Sequence, residues 1–103
     1  MKKESISVRY KGRKIEVSAR VCESLFSKAR GKMFSLDKSA LLFVFPREQE
    51  VGIHMLFVFM PLLVIWFDNN KKIKRIKEMK PFVDYASEKA KYVLEIPLRS
   101  RLF

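Results

Sequence analysis

The stretch that decides the fold is Ala40–Asp68, ALLFVFPREQEVGIHMLFVFMPLLVIWFD. It places two almost uncharged apolar runs around a short polar interruption, in a chain of 103 residues with a formal net charge of +11. Such runs are either a membrane-spanning segment or strands that are buried on both faces of a sheet. Every later inference depends on which of the two applies.

The second apolar run, Val51–Phe67, favours buried strands. A spanning helix needs about 17–25 mostly apolar residues, and this run only reaches the lower limit while it contains His54. Pro61 divides the run into two pieces of strand length, which are rich in Val, Ile, Phe and Trp. We therefore predict core strands, and membrane association through Val51–Phe67 stays as an alternative.

The central block is predicted to contain three buried strands. The first is Leu41–Phe45, which ends at Pro46 and is followed by a polar connection, Arg47–Glu50. The other two are Ile53–Phe59 and Leu62–Phe67.

Before this block, the spacing of apolar residues changes once, from the two-residue period of strands to helical spacing. Apolar residues alternate with polar ones over residues 6–10 and 15–21, and the pair Lys11-Gly12 separates the two runs, which predicts a β-hairpin with one buried face. Helical i, i+3, i+4, i+7 spacing then relates Cys22, Leu25, Phe26 and Ala29. We predict a short helix near Glu23–Arg30, with Cys22 on its apolar face and Gly31 as its C-cap.

The chain after the block continues the β pattern. Asp68–Lys71 is typical of a turn, and Ile73–Lys77 is predicted as the return strand of a second hairpin. Val83–Lys89 is interpreted as a loop or a helical turn. Tyr92–Ile96 is predicted as the last strand, which Pro97 closes.

The predicted fold class is mainly β (α+β), a single compact antiparallel β-barrel-like domain over residues 1–103 with the one short helix. The single cysteine excludes an internal disulfide, and the charged residues at the start of the chain leave no room for an apolar leader. A cytoplasmic protein is therefore expected, as a monomer or a homodimer.

Several blocks resemble domain-of-unknown-function family 192, also called uncharacterised protein family 0127. Ala29–Phe34 is similar to the Gly-Leu-Met signature that follows a short helix in that family, and Leu42–Pro46 matches its Leu-Phe-Val-Phe-Pro strand. Residues 54–55, 61–62 and 67–68 fit its next strand pair, and Ala90–Pro97 fits its closing strand. The resemblance covers roughly Ile15 to Pro97 and implies a mostly β domain with no established reaction.

The departures from the family pattern remove its polar positions. Many members carry Trp-Met-Lys-Asn where this chain has Ile53–Phe57, a difference associated with archaeal relatives. Many have Pro-Leu-Asp at Pro61–Leu63, and Ala-Gly where this chain has Leu98-Arg99. No shared polar site can therefore be carried over to this sequence.

The residue types needed for common enzyme chemistry are sparse. The chain has one histidine, one cysteine and three isolated glycines, so it lacks a nucleophile–base set, a metal-ligand spacing and a phosphate loop. An enzyme is not expected, and no catalytic residue, cofactor or metal is predicted.

The basic residues are the remaining functional lead. The second hairpin carries Lys71, Lys72, Lys74, Arg75 and Lys77, and these are predicted to bind nucleic acid nonspecifically if the two hairpins lie side by side. A solvated lysine-rich surface is the favoured interpretation, because charge steers encounters without defining a function, and nucleic-acid binding is the alternative.

The family-like cluster predicts a different kind of site. A groove for a small ligand or a protein is expected near Arg30, Met33, Arg47 and His54. The function predicted from the sequence is thus a small, soluble, β-rich binding or accessory module, with nucleic-acid binding and membrane association as the alternatives.

Overall fold

Six strands form one hydrogen-bonded sheet. The computed structural model describes residues 2–23, 39–55 and 58–98. Its strands are β1 (Lys3–Tyr10), β2 (Arg13–Cys22), β3 (Ala40–His54), β4 (Leu62–Phe67), β5 (Ile73–Met79) and β6 (Tyr85–Pro97). Their order in the sheet is β1-β2-β3-β6-β4-β5. The mainly β prediction is therefore confirmed.

The first hairpin forms as predicted. Strands β1 and β2 pair in register from Lys3 opposite Arg20 to Tyr10 opposite Arg13, which leaves a two-residue turn. Both turn residues, Lys11 and Gly12, have positive φ, at 53° and 76°. Two-residue turns of this kind match the right-handed twist of the flanking strands.

The prediction of a wholly antiparallel sheet is wrong at one pairing. Residues 19–22 of β2 pair in parallel with residues 40–43 of β3, whereas the other four pairings of the described strands are antiparallel. Parallel neighbours need a crossover of a dozen or more residues, and residues 23–39 provide that length. The predicted helix near Glu23–Arg30 lies almost entirely outside the described residues. Cys22 is buried as the last residue of β2, so its predicted place on a helix face is wrong.

Strand β3 is one long strand where the sequence predicted two strands and a connection. It runs through Pro46 and Arg47–Glu50, and its register against β6 shifts between Val44 and Gln49. Proline is tolerated at such a bulge because no ladder hydrogen bond is required from its nitrogen. The strand ends at His54, and Met55, Val58 and Phe59 are not in a strand, so the predicted strand Ile53–Phe59 is wrong at these three residues. Leu56 and Phe57 lie outside the described residues.

Strand β6 is also longer than predicted. It starts at Tyr85, so the interpretation of Val83–Lys89 as a loop or helical turn is wrong for most of that range. Residues 85–90 pair with residues 49–54 of β3, and the small side chains of Ala86 and Ala90 are buried. Tertiary pairing here overrides a local composition that favours helix. Strand β5 continues to Met79, two residues past the predicted end.

The sheet has two cores, one on each face. The barrel core on the concave face comprises Val8, Ile15, Val17, Ala19, Ala40, Leu42, Leu63, Ile65, Phe67, Leu94 and Ile96. The outer core on the convex face comprises Cys22, Leu41, Phe43, Val51, Met55, Val58, Met60, Leu62, Val64, Trp66, Met79, Ala86, Ala90 and Val93. Alternate residues of β4 enter each core, so all six of its residues are buried, as the sequence predicted.

The curled sheet is a barrel that is not closed by hydrogen bonds. Its edge strands are β1 and β5, and two ion pairs cross between these two sides of the molecule. Lys71 Nζ lies 3.6 Å from Glu4 Oε1, and Lys11 Nζ lies 3.7 Å from Glu78 Oε2. We call the gap between the edge strands the seam.

A buried hydrogen bond joins β4 to the second half of β3, residues 49–54. Trp66, which is fully buried, donates from Nε1 to the carbonyl oxygen of Val51 at 3.1 Å. The guanidinium carbon of Arg75 lies 5.7 Å from the centre of the indole ring, and Arg75 Nη1 donates to the carbonyl of Ser87. We call the paired residues 49–54 of β3 and 85–90 of β6 the β3–β6 extension. These contacts hold this extension against β4.

We expect Trp66→Phe to lower the free energy of unfolding by about 2 kcal/mol or more, because it leaves a buried carbonyl without its donor and leaves unfilled volume. Urea denaturation followed by circular dichroism measures this. Tyr85→Phe is the control, since it also removes one polar atom from a ring but at a site that is 63% exposed, and it should change stability by less than about 0.5 kcal/mol. Equal effects of the two variants would contradict the role given to the indole.

Candidate ligand groove at the seam

A groove of about 270 Å³ opens at the seam, between the start of β1 and the β4–β5 turn. Its lining residues come from four separate parts of the chain and are Glu4, Ser5, Ile6, Ser7, Leu42, Phe67, Lys71 and Tyr92. Ile6, Leu42 and Phe67 belong to or pack against the barrel core, so the groove has an apolar floor. Glu4, Lys71 and Tyr92 supply its charged and aromatic side chains.

The β4–β5 turn places Lys71 in the groove wall. Asp68 Oδ1 accepts the backbone N–H groups of Asn70 at 2.8 Å and Lys72 at 2.9 Å. The backbone N–H of Lys71 donates to the Asp68 carbonyl, and Lys71 itself has a φ of 64°. The N–H of Asn69 donates to the Glu48 carboxylate, which fastens the turn to β3. Lys71 is therefore carried by a hydrogen-bonded turn.

The environment of Lys71 combines a carboxylate and an aromatic ring. Its ammonium group pairs with Glu4 and lies 5.5 Å from the centre of the Tyr92 ring, and Lys91 lies at the same distance from that ring. The side chains of Lys71 and Glu4 are 63% and 43% exposed. An ion pair this exposed contributes about 0–1 kcal/mol, so a ligand anion can replace Glu4 at little cost.

A second ion pair lies at the other end of the seam. Lys11 pairs with Glu78 and lies 5.4 Å from the centre of the Tyr10 ring. Burial, and next the neighbouring Glu78 carboxylate, raise the pKa of Tyr10 above its ordinary value. The tyrosine is therefore neutral at physiological pH, and this end of the seam is closed by side chains.

The structure does not bring Arg47 and His54, the two predicted ligand residues that it describes, together. Arg47 lies exposed at the β3 bulge and His54 lies exposed at the end of the same strand. Seven residues of strand at about 3.3 Å each separate them by roughly 20 Å. Arg30 and Met33 lie outside the described residues. A role for these four residues in binding stays a prediction.

The predicted nucleic-acid residues have different surroundings from one another. Lys71 lines the groove, Lys74 pairs with Glu88 at 3.9 Å, and Arg75 lies over Trp66. Lys72 is exposed, and Lys77 is half-buried opposite Val64. The five residues therefore do not form one uniform basic face.

The sequence interpretation missed most of the groove. Glu4, Ser5, Ser7 and Tyr92 were not singled out, and Lys71 was chosen only for its charge. The alternation along β1 shows which side chains face solvent, but the approach of β1 to a turn more than sixty residues later follows only from the curl of the sheet.

The described ranges, 2–23, 39–55 and 58–98, contain no helix that is long and apolar enough to cross a membrane. They also contain no group of three His, Cys, Asp or Glu side chains that could hold a metal ion.

Comparison with known proteins places the chain in one family. The family model DUF192, described as "Uncharacterized ACR", matches residues 6–100. A UPF0127 protein of Pyrococcus furiosus is 30% identical over 90 residues, which cover 84% of this chain and 78% of that protein. A UPF0127 protein of Pyrococcus abyssi is 32% identical over 101 residues, which cover 95% and 82%. The resemblance found from the sequence blocks is confirmed.

Two solved structures share the fold. A protein of unknown function from Novosphingobium aromaticivorans superposes with a TM-score of 0.80 at 17% identity, over 97% of this chain and 78% of that one. A putative transcription regulator from Sinorhizobium meliloti superposes with a TM-score of 0.78 at 19% identity, over 92% and 79%. At these identities the likeness concerns the fold alone.

The turn that carries Lys71 should respond to pH through Asp68. The N–H groups of Lys72 and Asn70 lower the pKa of this carboxyl below its ordinary value of 3.8, so its ionised form stabilises the fold above that pH and the contribution is lost as pH falls through the lowered pKa. We expect Asp68→Asn to reduce the urea midpoint at pH 7 and to approach the wild-type midpoint at pH values well below 3.8.

Asn69→Ala is the matched control in the same turn. It changes no titrating group, so its difference from the wild type should not vary with pH. An Asp68→Asn difference that is as large in acid as at neutrality would contradict the role of the ionised carboxylate.

Proposed function

Because the chain belongs to DUF192, a family of unknown function, we propose its role from the geometry of the seam groove: it is a binding module that holds a small organic anion. The observation that carries this proposal is the position of Lys71 beside Tyr92 and the start of β1, above an apolar floor of Ile6, Leu42 and Phe67. Binding sites typically combine an apolar lining with a few polar groups that fix orientation.

The charge of the groove supports an anion. Lys71 is the cation of the lining and Glu4 is its carboxylate, and Lys91, outside the lining, also lies 5.5 Å from the centre of the Tyr92 ring. Lys71 can turn from Glu4 to a ligand carboxylate or phosphate, because both side chains of that pair are well exposed.

The size and floor of the groove support a ligand with an apolar part. A volume of about 270 Å³ is small against the 300–1,000 Å³ of typical ligand pockets. Ile6, Leu42 and Phe67 would cover a short alkyl chain or one aromatic ring. We propose no reaction for the site, and we propose a cytoplasmic location, which the single cysteine supports.

The test is a titration followed by NMR with phenyl phosphate and hexanoate, with inorganic phosphate as the anion that lacks an apolar part. We expect shifts in the backbone signals of Ser5, Ser7 and Tyr92. Lys71→Gln should weaken binding of phenyl phosphate by about tenfold or more, since a hydrogen bond to a charged group is lost.

Lys72→Gln is the matched control, because it removes the adjacent exposed lysine, which does not line the groove. Two results would overturn the proposal. One is the absence of shifts in the groove with phenyl phosphate and hexanoate, and the other is an equal loss of affinity in Lys71→Gln and Lys72→Gln.

Nonspecific nucleic-acid binding is a second candidate. One observation favours it: the ion pairs across the seam set the first hairpin beside β5, so two lysine-rich segments of a chain with charge +11 are neighbours. The Sinorhizobium meliloti structure of the same fold is named a putative transcription regulator.

A salt titration tests this second candidate. Fluorescence anisotropy with labelled single-stranded and duplex oligonucleotides should show binding that weakens linearly with the logarithm of salt concentration, because counterions are released from the phosphates. Negligible binding at about 50 mM salt would exclude this function.

A further inference from the structure

Apolar side chains are concentrated at one end of the molecule, away from the seam groove. Of the five large apolar side chains that are well exposed in the described part of the chain, Phe59, Phe82, Val83 and Tyr85 lie at this end. Their exposed fractions are 41%, 52%, 74% and 63%. We call these four residues the aromatic tip.

The backbone of buried Met55 ties the two loops of the tip together. Its carbonyl oxygen accepts the N–H of Phe82 at 2.9 Å and that of Val58 at 3.1 Å, and its own N–H donates to the Asp84 carbonyl. The rings of Phe59 and Phe82 are in tilted contact, with centroids 5.7 Å apart. The tip is therefore a built element and not a frayed loop end.

Phe82 is held in a strained backbone conformation. Its φ is 69°, and the N–H of Val83 donates to the Pro81 carbonyl, which makes Phe82 the centre of a γ-turn with positive φ. Such turns are rare and costly for a bulky residue. The strained conformation leaves 52% of the Phe82 side chain exposed, so burial of the ring does not account for it. Strained conformations of this kind are concentrated at functional sites.

Tyr85 completes the tip from the neighbouring strand position. Its ring lies over Gly52 of β3, and a methyl group added at Gly52 would overlap the phenol. Tyr85 stands opposite His54 in the β3–β6 ladder, and His54 is also exposed. One face of the Tyr85 ring is thus covered while most of the side chain stays accessible.

The area of the tip argues against a stable protein partner. Fully buried aromatic side chains cover about 150–250 Å² each, so four side chains that are roughly half exposed offer on the order of 400 Å². A standard protein interface takes about 800 Å² from each side, of which about 56–58% is apolar, so the tip alone falls slightly short of one. A lipid surface sets no such minimum, because each side chain enters it separately.

The chemistry of the tip also favours lipid over stacked bases. Its most exposed member is Val83, an aliphatic residue that cannot stack on a base. The neighbouring Lys80 is exposed, the Glu78 carboxylate pairs with Lys11, and the Asp84 carboxylate accepts the backbone N–H of Lys80. The chain as a whole carries a charge of +11, which anionic headgroups attract.

We propose that the aromatic tip docks the protein onto an anionic lipid surface, with Phe82 and Val83 entering the interface and the exposed Lys80 facing the headgroups. This is peripheral contact through a loop end, and it does not depend on the seam groove.

The test is co-sedimentation of the full chain with vesicles of phosphatidylcholine, with and without phosphatidylserine. Binding is expected with phosphatidylserine and should decrease as salt is raised. Val83→Ser and Phe82→Gly should each lower the partition constant by about tenfold, since one apolar side chain no longer enters the interface.

Phe82→Gly also separates docking from a structural role. Glycine accepts a φ of 69° without strain, so this variant should keep or raise the thermal midpoint while it loses vesicle binding. The control is Ile73→Ser, which removes a side chain that is 43% exposed at the other end of β5 and should leave binding unchanged.

Four outcomes would overturn the proposal. The first is that vesicles without phosphatidylserine bind the protein as well as vesicles that contain it, and the second is that Ile73→Ser loses as much binding as Val83→Ser and Phe82→Gly. The third is that the protein binds single-stranded oligonucleotides through Phe82 and does not bind vesicles. The fourth is that the protein self-associates in sedimentation and that Val83→Ser abolishes this.

Discussion

The burial of β4 on both faces is the constraint on which the rest of the structure depends. Residues 62, 64 and 66 enter the outer core, and residues 63, 65 and 67 enter the barrel core. A six-residue strand with no charged side chain needs cover on each side. The curl of the sheet covers one face, and the long β3–β6 extension, fastened by Trp66 to Val51, covers the other.

The groove exists because no backbone hydrogen bonds join the edge strands β1 and β5. If β1 and β5 were joined by backbone hydrogen bonds, the space between them would be closed. Instead the seam is crossed by Lys71–Glu4 at one end and Lys11–Glu78 at the other. Charged side chains along an edge also discourage pairing with other chains. The same weak, exposed contacts leave Lys71 able to exchange its partner, which a closed barrel would not allow.

The parts of the fold that could be predicted are those with local signals. Pro61 and Asp68 mark the ends of β4, and the alternation around Lys11-Gly12 marks the first hairpin. Strand β3 was divided wrongly because Pro46 reads as a terminator unless the bulge is known. The start of β6 was missed because its residues have no strand preference of their own and are held by pairing. The groove depends on the curl of the whole sheet, which no local pattern records.

The two proposed surfaces differ in how the chain holds them. Lys71 and Phe82 both have positive φ, yet Lys71 sits in a turn whose hydrogen bonds to Asp68 stabilise that conformation. The conformation of Phe82 is offset by less stabilisation, because its ring stays half exposed beside Phe59. A stability-driven sequence would place glycine or asparagine at position 82. An aromatic residue there is explained if the exposed ring contributes to binding and not to folding.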